Sequence, residues 1–159
     1  MAERRGVLEK VLSPFGSLGK LDEAPSRALW RAIRDVIPFA AQSPAGAHNL
    51  WRISTAPTRS TDVGCKLAAE ADAELLYDWG GGLIWAALPA TDDAHAPLVH
   101  ASVAAAGGHA TLIRAPAAVR AKVGVFAPEA PALAALTKRV HAGFDPQGVL
   151  NAGRMWAGV

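Results

Sequence analysis

Two arginines are the side chains best placed by type to do chemistry. Arg52 lies within Asn49-Leu50-Trp51-Arg52-Ile53-Ser54, and Arg114 closes His109-Ala110-Thr111-Leu112-Ile113-Arg114. A guanidinium presents its N–H groups in a fixed fork, so a converging pair can grip a carboxylate with bidentate geometry. The plainer alternative is that both are solvated residues on the face of a sheet. Asp78 precedes Trp79-Gly80-Gly81-Gly82 and reads as a turn carboxylate accepting backbone N–H bonds. No histidine is locked to it by spacing, which weakens a role as catalytic base. His95 and His100 are five apart, a poor match to one helical face, and His48, His109 and His141 lie elsewhere in the chain. They read as core or surface residues, not as a metal site. The triple glycine lacks the lysine and helix start of a phosphate loop. Trp79 and Trp85 read as packing residues, and Cys65 as a small buried apolar residue in preference to a nucleophile. With no Ser/His/Asp or Cys/His arrangement, the chemistry is left to a cofactor.

A second unusual stretch is the tail, Phe144-Asp145-Pro146-Gln147-Gly148-Val149-Leu150-Asn151-Ala152-Gly153-Arg154-Met155-Trp156. It closes a helical run ending near His141. Asp145-Pro146 stops that helix, because proline fixes φ and disfavours helix in the residue before it. Gly148 and Gly153 allow tight turns or close backbone approach. Phe144, Val149, Leu150 and Trp156 are apolar, so the tail is built to dock, on its own domain or on another.

The elements that must position these groups follow from periodicity. Residues 6–12 form a short helix broken at Ser13-Pro14. Ser26 can cap a second, with Leu29, Trp30, Ile33 and Ile37 on one stripe expected to dock on the rest of the domain. Residues 49–55 alternate as a strand, with Trp51 and Ile53 toward the helices and Leu50, Arg52 and Ser54 on the open face. Ser60 or Thr61 caps a helix reaching Asp72. Strands at 74–79 and 83–88 flank the glycine turn. Asp92 or Asp93 caps a helix to Ala106, stopped by Gly107-Gly108, and 109–114 is a fourth strand. On it, Arg114 shares a side with Leu112 and Ala110. Helical stretches follow at 117–123 and 129–141, the latter with Leu133, Leu136 and Val140 facing inward. The order strand–helix–strand–strand–helix–strand describes an α+β, ferredoxin-like antiparallel sheet with extra helices at both ends. Neighbouring first and fourth strands would let Arg52 and Arg114 converge. The organisation expected is a helical segment and linker at 1–48, a sheet core at 49–115, and carboxyl-terminal helices with a docking tail at 116–159. The open face, with Leu50, Leu112 and either Leu76 or Trp85, is expected to leave apolar area for a partner.

Composition bounds the rest. The chain has 159 residues, 51% of them hydrophobic, enough for one real core. A net charge of +2 without a Lys/Arg run argues against nucleic acid. One cysteine excludes an internal disulfide and fits a reducing cytoplasm. No apolar run is long enough to span a bilayer.

The tail resembles the carboxyl-terminal signature of FAD-linked oxidases of the vanillyl-alcohol oxidase type, F-D-P-x-G-hydrophobic-x-N-P-G-R. The match is at Phe144, Asp145, Pro146, Gly148, Val149, Asn151, Gly153 and Arg154, with Ala152 where proline is usual. Leu50-Trp51-Arg52-Ile53-Ser54, Asp78-Trp79-Gly80-Gly81-Gly82-Leu83 and Gly107-Gly108-His109-Ala110-Thr111-Leu112-Ile113-Arg114 narrow the resemblance to the FAD-binding E subunits of glycolate oxidases. The resemblance implies a substrate-side cap, with Asn151, Gly153 and Arg154 approaching the flavin and Arg52 and Arg114 meeting a 2-hydroxy acid. It implies FAD held mainly by an upstream domain absent from these residues, so that this chain alone binds no FAD and is inactive. Partner flavin and iron–sulfur subunits are implied as well, and a cytoplasmic location, peripheral at the inner membrane through those subunits. The reading from a different class is a ferredoxin-like binding or assembly module with no flavin role.

Overall fold

The computed structural model describes residues 2–41 and 43–150. The chain divides into two compact units, Met1–Ile37 and Pro38–Val159.

The first unit holds helices α1 (Ala2–Leu12) and α2 (Glu23–Arg34). Helix α2 begins three residues before Ser26. Asp22 is extended at its start and Pro25 sits in the first turn, where its missing N–H costs nothing. Glu23 at the positive end and Arg31 and Arg34 at the negative end suit the helix dipole. The stripe expected to be buried is not: Trp30 is 63% exposed, and Leu29 and Ile37 are exposed as well.

The second unit carries β1 (Asn49–Ser54), α3 (Ser60–Ala71), β2 (Glu74–Asp78), β3 (Leu83–Leu88), α4 (Ala96–Ala106), β4 (His109–Arg114), the one-turn α5 (Ala117–Arg120) and α6 (Pro131–Phe144). The sheet order is β2-β3-β1-β4, with every neighbouring pair antiparallel. That is the ferredoxin-like order, in which two strand–helix–strand units interleave around a central pair of strands. The α+β architecture is therefore the one the element order implied.

Helices α3 and α4 cover one face of the sheet. Trp51, Ile53, Ile84, Ala86, Leu88, Ala110 and Leu112 meet Val63, Leu67, Val99 and Val103 in one buried cluster. The strands alternate because their odd and even residues serve different faces. Trp51 buries its ring completely and donates its indole N–H to the Ala94 carbonyl at 2.9 Å, so the polar atom of the largest core residue is satisfied. His100 meets that ring edge-on, with centroids 5.3 Å apart and planes at 88°.

Two glycine positions set how closely the layers approach. Gly64 lies under the Tyr77 hydroxyl, and Gly108 lies against the Ser54 carbonyl oxygen; a Cβ at either would collide. Gly107, at φ +71°, ends α4 in the left-handed conformation that glycine adopts without a steric penalty. Cys65, next to Gly64, is exposed, contrary to the burial expected of it. The buried positions of α3 are Ser60, Val63, Gly64, Leu67 and Ala71, and Cys65 falls on the opposite side.

Helix α6 reverses another expectation. It runs to Phe144, one turn past His141, and Leu133, Leu136 and Val140 are all about half exposed instead of facing a core (51%, 49% and 51%). Asp145-Pro146 then ends it as the sequence implied.

Candidate functional site

The face of the sheet away from α3 and α4 is read from the strand register, since paired residues share a face. Its central row is Leu76, Trp85, Arg52 and Thr111. On one side lies the row Glu74, Ala87, Leu50 and Arg114; on the other lie Asp78, Leu83, Ser54 and His109. Arg52 thus stands in the middle of this face.

Simple alternation would have put Arg114 with Leu112, among the core residues. A register shift between Leu50 and Trp51 sets Trp51 opposite Leu112 but Leu50 opposite Arg114. The extra residue carries Arg114 over to the side of Leu50 and Arg52. The two arginines therefore share a face on neighbouring strands, one row apart. Their heads are held by different partners. Arg52 places its guanidinium carbon 5.2 Å from the centroid of the Trp79 ring. Arg114 donates from Nη1 to the Phe39 carbonyl at 2.6 Å, drawing the segment before β1 over that end of the sheet.

Part of the face is closed. Leu50, Leu83 and Ala87 are buried, and Leu112 belongs to the helix side. The apolar area expected at Leu50 and Leu112 is therefore not there. What remains around Arg52 is half-buried Trp85 and Leu76 together with the exposed ring of Trp79. Among the described residues no carboxylate lies within ion-pair distance of Arg52. A cation set among aromatic rings and lacking an acidic partner suits an incoming anion with a flat apolar body.

The turn beside this centre is tightly made. Asp78 Oδ1 accepts from the Trp79 N–H at 2.7 Å, and the Gly82 N–H reaches the Trp79 carbonyl at 3.1 Å. Asp78 is thus the turn carboxylate the sequence indicated. Trp79 itself takes φ +53°, followed by Gly80 at +61° and Gly81 at +96°. Trp79 was expected to be a packing residue, yet it is 62% exposed. Only the pairing of β1 with β3 brings Arg52 to the hairpin, and no spacing within either segment shows it.

The remaining titratable groups lie elsewhere. Burial pushes the His100 imidazole below its usual range, and its Nδ1 is buried with no hydrogen-bond partner among the described residues. Among those residues no three His, Cys, Asp or Glu side chains group as metal ligands would, and no helix is long and apolar enough to cross a membrane. Asn49, fully buried beside Leu88, leaves both atoms of its amide without a hydrogen-bond partner among the described residues.

At the start of the tail, Asp145 acts as a clamp. Its carboxylate accepts from the N–H of Leu150 at 2.7 Å and of Val149 at 3.1 Å, while its carbonyl accepts from Gly148 at 3.1 Å. These bonds, that of Leu150 first, hold the carboxyl below its usual range. Gly148 takes φ +63° in this turn. Phe144 and Val149, apolar residues of a tail expected to dock, are 87% and 72% exposed. The anchor is polar: the buried residue is Asp145. Asn151, Gly153 and Arg154 lie outside the described residues.

Comparison with known proteins gives a relative in sequence. The chain is 35% identical over 129 residues to the glycolate oxidase subunit GlcE of Escherichia coli (strain K12). The match takes in 80% of this chain and 31% of that relative, so it spans under a third of the relative's length. No protein-family profile and no solved structure matches the chain. The likeness suggested by the four sequence strings thus extends over most of the chain.

Proposed function

We propose that this chain forms the substrate-side cap of a flavin-dependent oxidoreductase that converts a 2-hydroxy acid, glycolate in the first instance, to the 2-oxo acid glyoxylate. The observation that carries the reading is the central position of Arg52 on the sheet face away from the helices, amid Trp79, Trp85 and Leu76 and with no acidic partner among the described residues. A guanidinium there fits a small carboxylate, and the aromatic surround fits a planar ring lying over the face. FAD, when bound, supplies the hydride acceptor.

In this reading Arg52 binds and orients the substrate carboxylate. Arg114, one row away and fixed to the Phe39 carbonyl, adds positive potential on the same side and favours an anion over a neutral alcohol. Trp85 and Leu76 exclude water from the reacting carbon. In the tail, Asn151, Gly153 and Arg154 are assigned to the flavin side on the strength of the signature. Asn151 both donates and accepts, and Arg154 supplies a cation toward the cofactor or its domain. The cap acts within a larger glycolate oxidase assembly whose other parts hold FAD and receive the electrons.

The test is reduction of bound flavin by glycolate in the purified assembly containing this chain. Bleaching of the oxidised flavin band by glycolate, with Arg52→Ala raising the glycolate needed at least about tenfold through loss of one charge-assisted bidentate contact, supports the reading. An assembly that purifies with this chain but without flavin would point to the binding-module alternative.

A further inference from the structure

The proposed function gives Trp79 no role beyond the aromatic surround of Arg52, and three features single it out. It is a large aromatic residue that stays mostly exposed, which forgoes the burial such a ring usually contributes. It is held at φ +53°, where a non-glycine residue is strained, and such strain persists only where the surroundings over-determine it. The surroundings do so here. Asp78 Oδ1 accepts from its N–H, the Gly82 N–H donates to its carbonyl, and Gly81, at φ +96°, packs close to the Ser60 hydroxyl and the Pro57 carbonyl. The turn between β2 and β3 fixes the Trp79 backbone, and over its ring lies the guanidinium of Arg52.

A guanidinium resting on an aromatic face is attracted through its flat side, while its N–H edges stay free to bond. An arginine on an open sheet face otherwise samples many rotamers and loses that freedom when it grips an anion. We propose that Trp79 is a positioning residue: its ring holds the Arg52 guanidinium with its N–H edges free to take the carboxylate of a 2-hydroxy acid. This deepens the reading of Arg52 as the carboxylate holder and rests on it. Trp79 touches Arg52 and not the reacting carbon, so its contribution lies in binding and not in the hydride transfer.

The experiment compares Trp79→Leu, Trp79→Phe and Arg52→Ala in the flavin-loaded assembly containing this chain, with glycolate as substrate. Trp79→Leu is expected to raise KM about threefold to fivefold with kcat nearly unchanged, the range an exposed cation–π contact supports. Trp79→Phe keeps a ring face and is expected to recover most of that loss. Arg52→Ala is expected to raise KM further, and adding Trp79→Leu to it should have no additional effect, because the ring acts through the guanidinium. A normal KM for Trp79→Leu alongside a raised KM for Arg52→Ala overturns the positioning role and leaves the proposed function intact. A normal KM for Arg52→Ala overturns both. The ring contact has its own readout, independent of turnover. The Arg52 Nε proton should move downfield in the NMR spectrum when Trp79 becomes leucine, as the ring current is lost. No movement, in a variant whose other amide signals are unchanged, also overturns the proposal.

Discussion

The sheet core and the segment after it are both rich in apolar residues, yet they end in opposite states. Residues 49–114 bury Trp51, Ile53, Ile84, Leu88 and Leu112 almost completely. From Pro131 onward, Leu133, Leu136, Val140, Phe144, Val149 and Leu150 are all exposed. In the first region alternation along each strand is answered by two helices. In the second the helical stripe is present, and no described element covers it. Periodicity thus reports which side of an element is apolar; whether that side is buried depends on a partner elsewhere. In the described start of the tail, Asp145 accepts the backbone N–H bonds of Val149 and Leu150 while Phe144, Val149 and Leu150 are exposed.

Substitutions can break or sharpen this contrast. The largest effect is expected at Trp51, where truncation to alanine empties the centre of the core and orphans the Ala94 carbonyl. It should cost about 3–5 kcal/mol, read from denaturant midpoints at constant slope; a loss below 1 kcal/mol would show that the ring is not central. Asn49→Leu tests the same core from the other direction. It removes two buried polar atoms that have no described partner, so a gain of about 1–3 kcal/mol is expected, and an unchanged or lowered melting temperature refutes it.

His100 sharpens the contrast through pH. Its folded-state pKa is depressed by burial, so the unfolded chain binds its proton more readily. The stability it supports is complete above the ordinary imidazole value of about 6.5 and is lost as pH falls toward the folded value. The melting temperature should therefore drop between neutral pH and pH 5, and His100→Phe, which keeps a ring against Trp51, should flatten part of that drop. Equal slopes for the two proteins would exclude His100 as the source. For Asp145 the pH effect belongs to acid. Its folded-state pKa is lowered by the Leu150 and then the Val149 N–H bonds, so the clamp holds above the usual carboxylate value of about 3.9 and is released as pH falls below it. Asp145→Ala should increase hydrogen exchange at the Val149 and Leu150 amides while the sheet amides keep their protection; unchanged exchange there would mean that the turn is held by something else. The smallest effect is expected on α6. Leu136→Ala should stay within about 0.5 kcal/mol of the parent, and a cost above 2 kcal/mol would mean that the stripe is covered after all.

Much of the sheet could be read in advance, and the reason is local. The third and fourth strands begin and end where proline, glycine and alternation placed them, and the glycine turn lies between its predicted strands. The misreadings share a cause, since each depended on a distant segment. The face taken by Arg114 turned on one inserted residue in the pairing of β4 with β1, which no property of β4 alone reveals. Cys65 was misjudged because Gly64, made necessary by the Tyr77 hydroxyl above it, occupies the buried position. Of the candidate site, Arg52 was legible from strand parity alone. Trp79 was not, because its meeting with Arg52 is set by the β1–β3 register. The start of α4 shows a smaller version of this. Asp93 accepts from the His95 N–H at 3.0 Å, but Ala94 and His95 take positive φ, so the helix begins at Ala96, later than an ordinary cap would allow.

The strand order carries a cost in time. β1 lies between β3 and β4, so the first strand to be made is the one whose partners come last. Strands β2 and β3, joined by four residues, can pair on the microsecond scale of a hairpin. β1 must wait for sequence-distant partners, and such non-local closure slows folding. On a ribosome Arg114 is added 60 residues after Ser54, which at about 5–20 residues per second is an interval of roughly 3–12 s. Throughout that interval Leu50-Trp51-Arg52-Ile53 is a sticky strand with an unfilled edge, open to chaperones or to another nascent chain. The residues that make the finished core so well packed are thus the ones that leave the emerging chain most vulnerable.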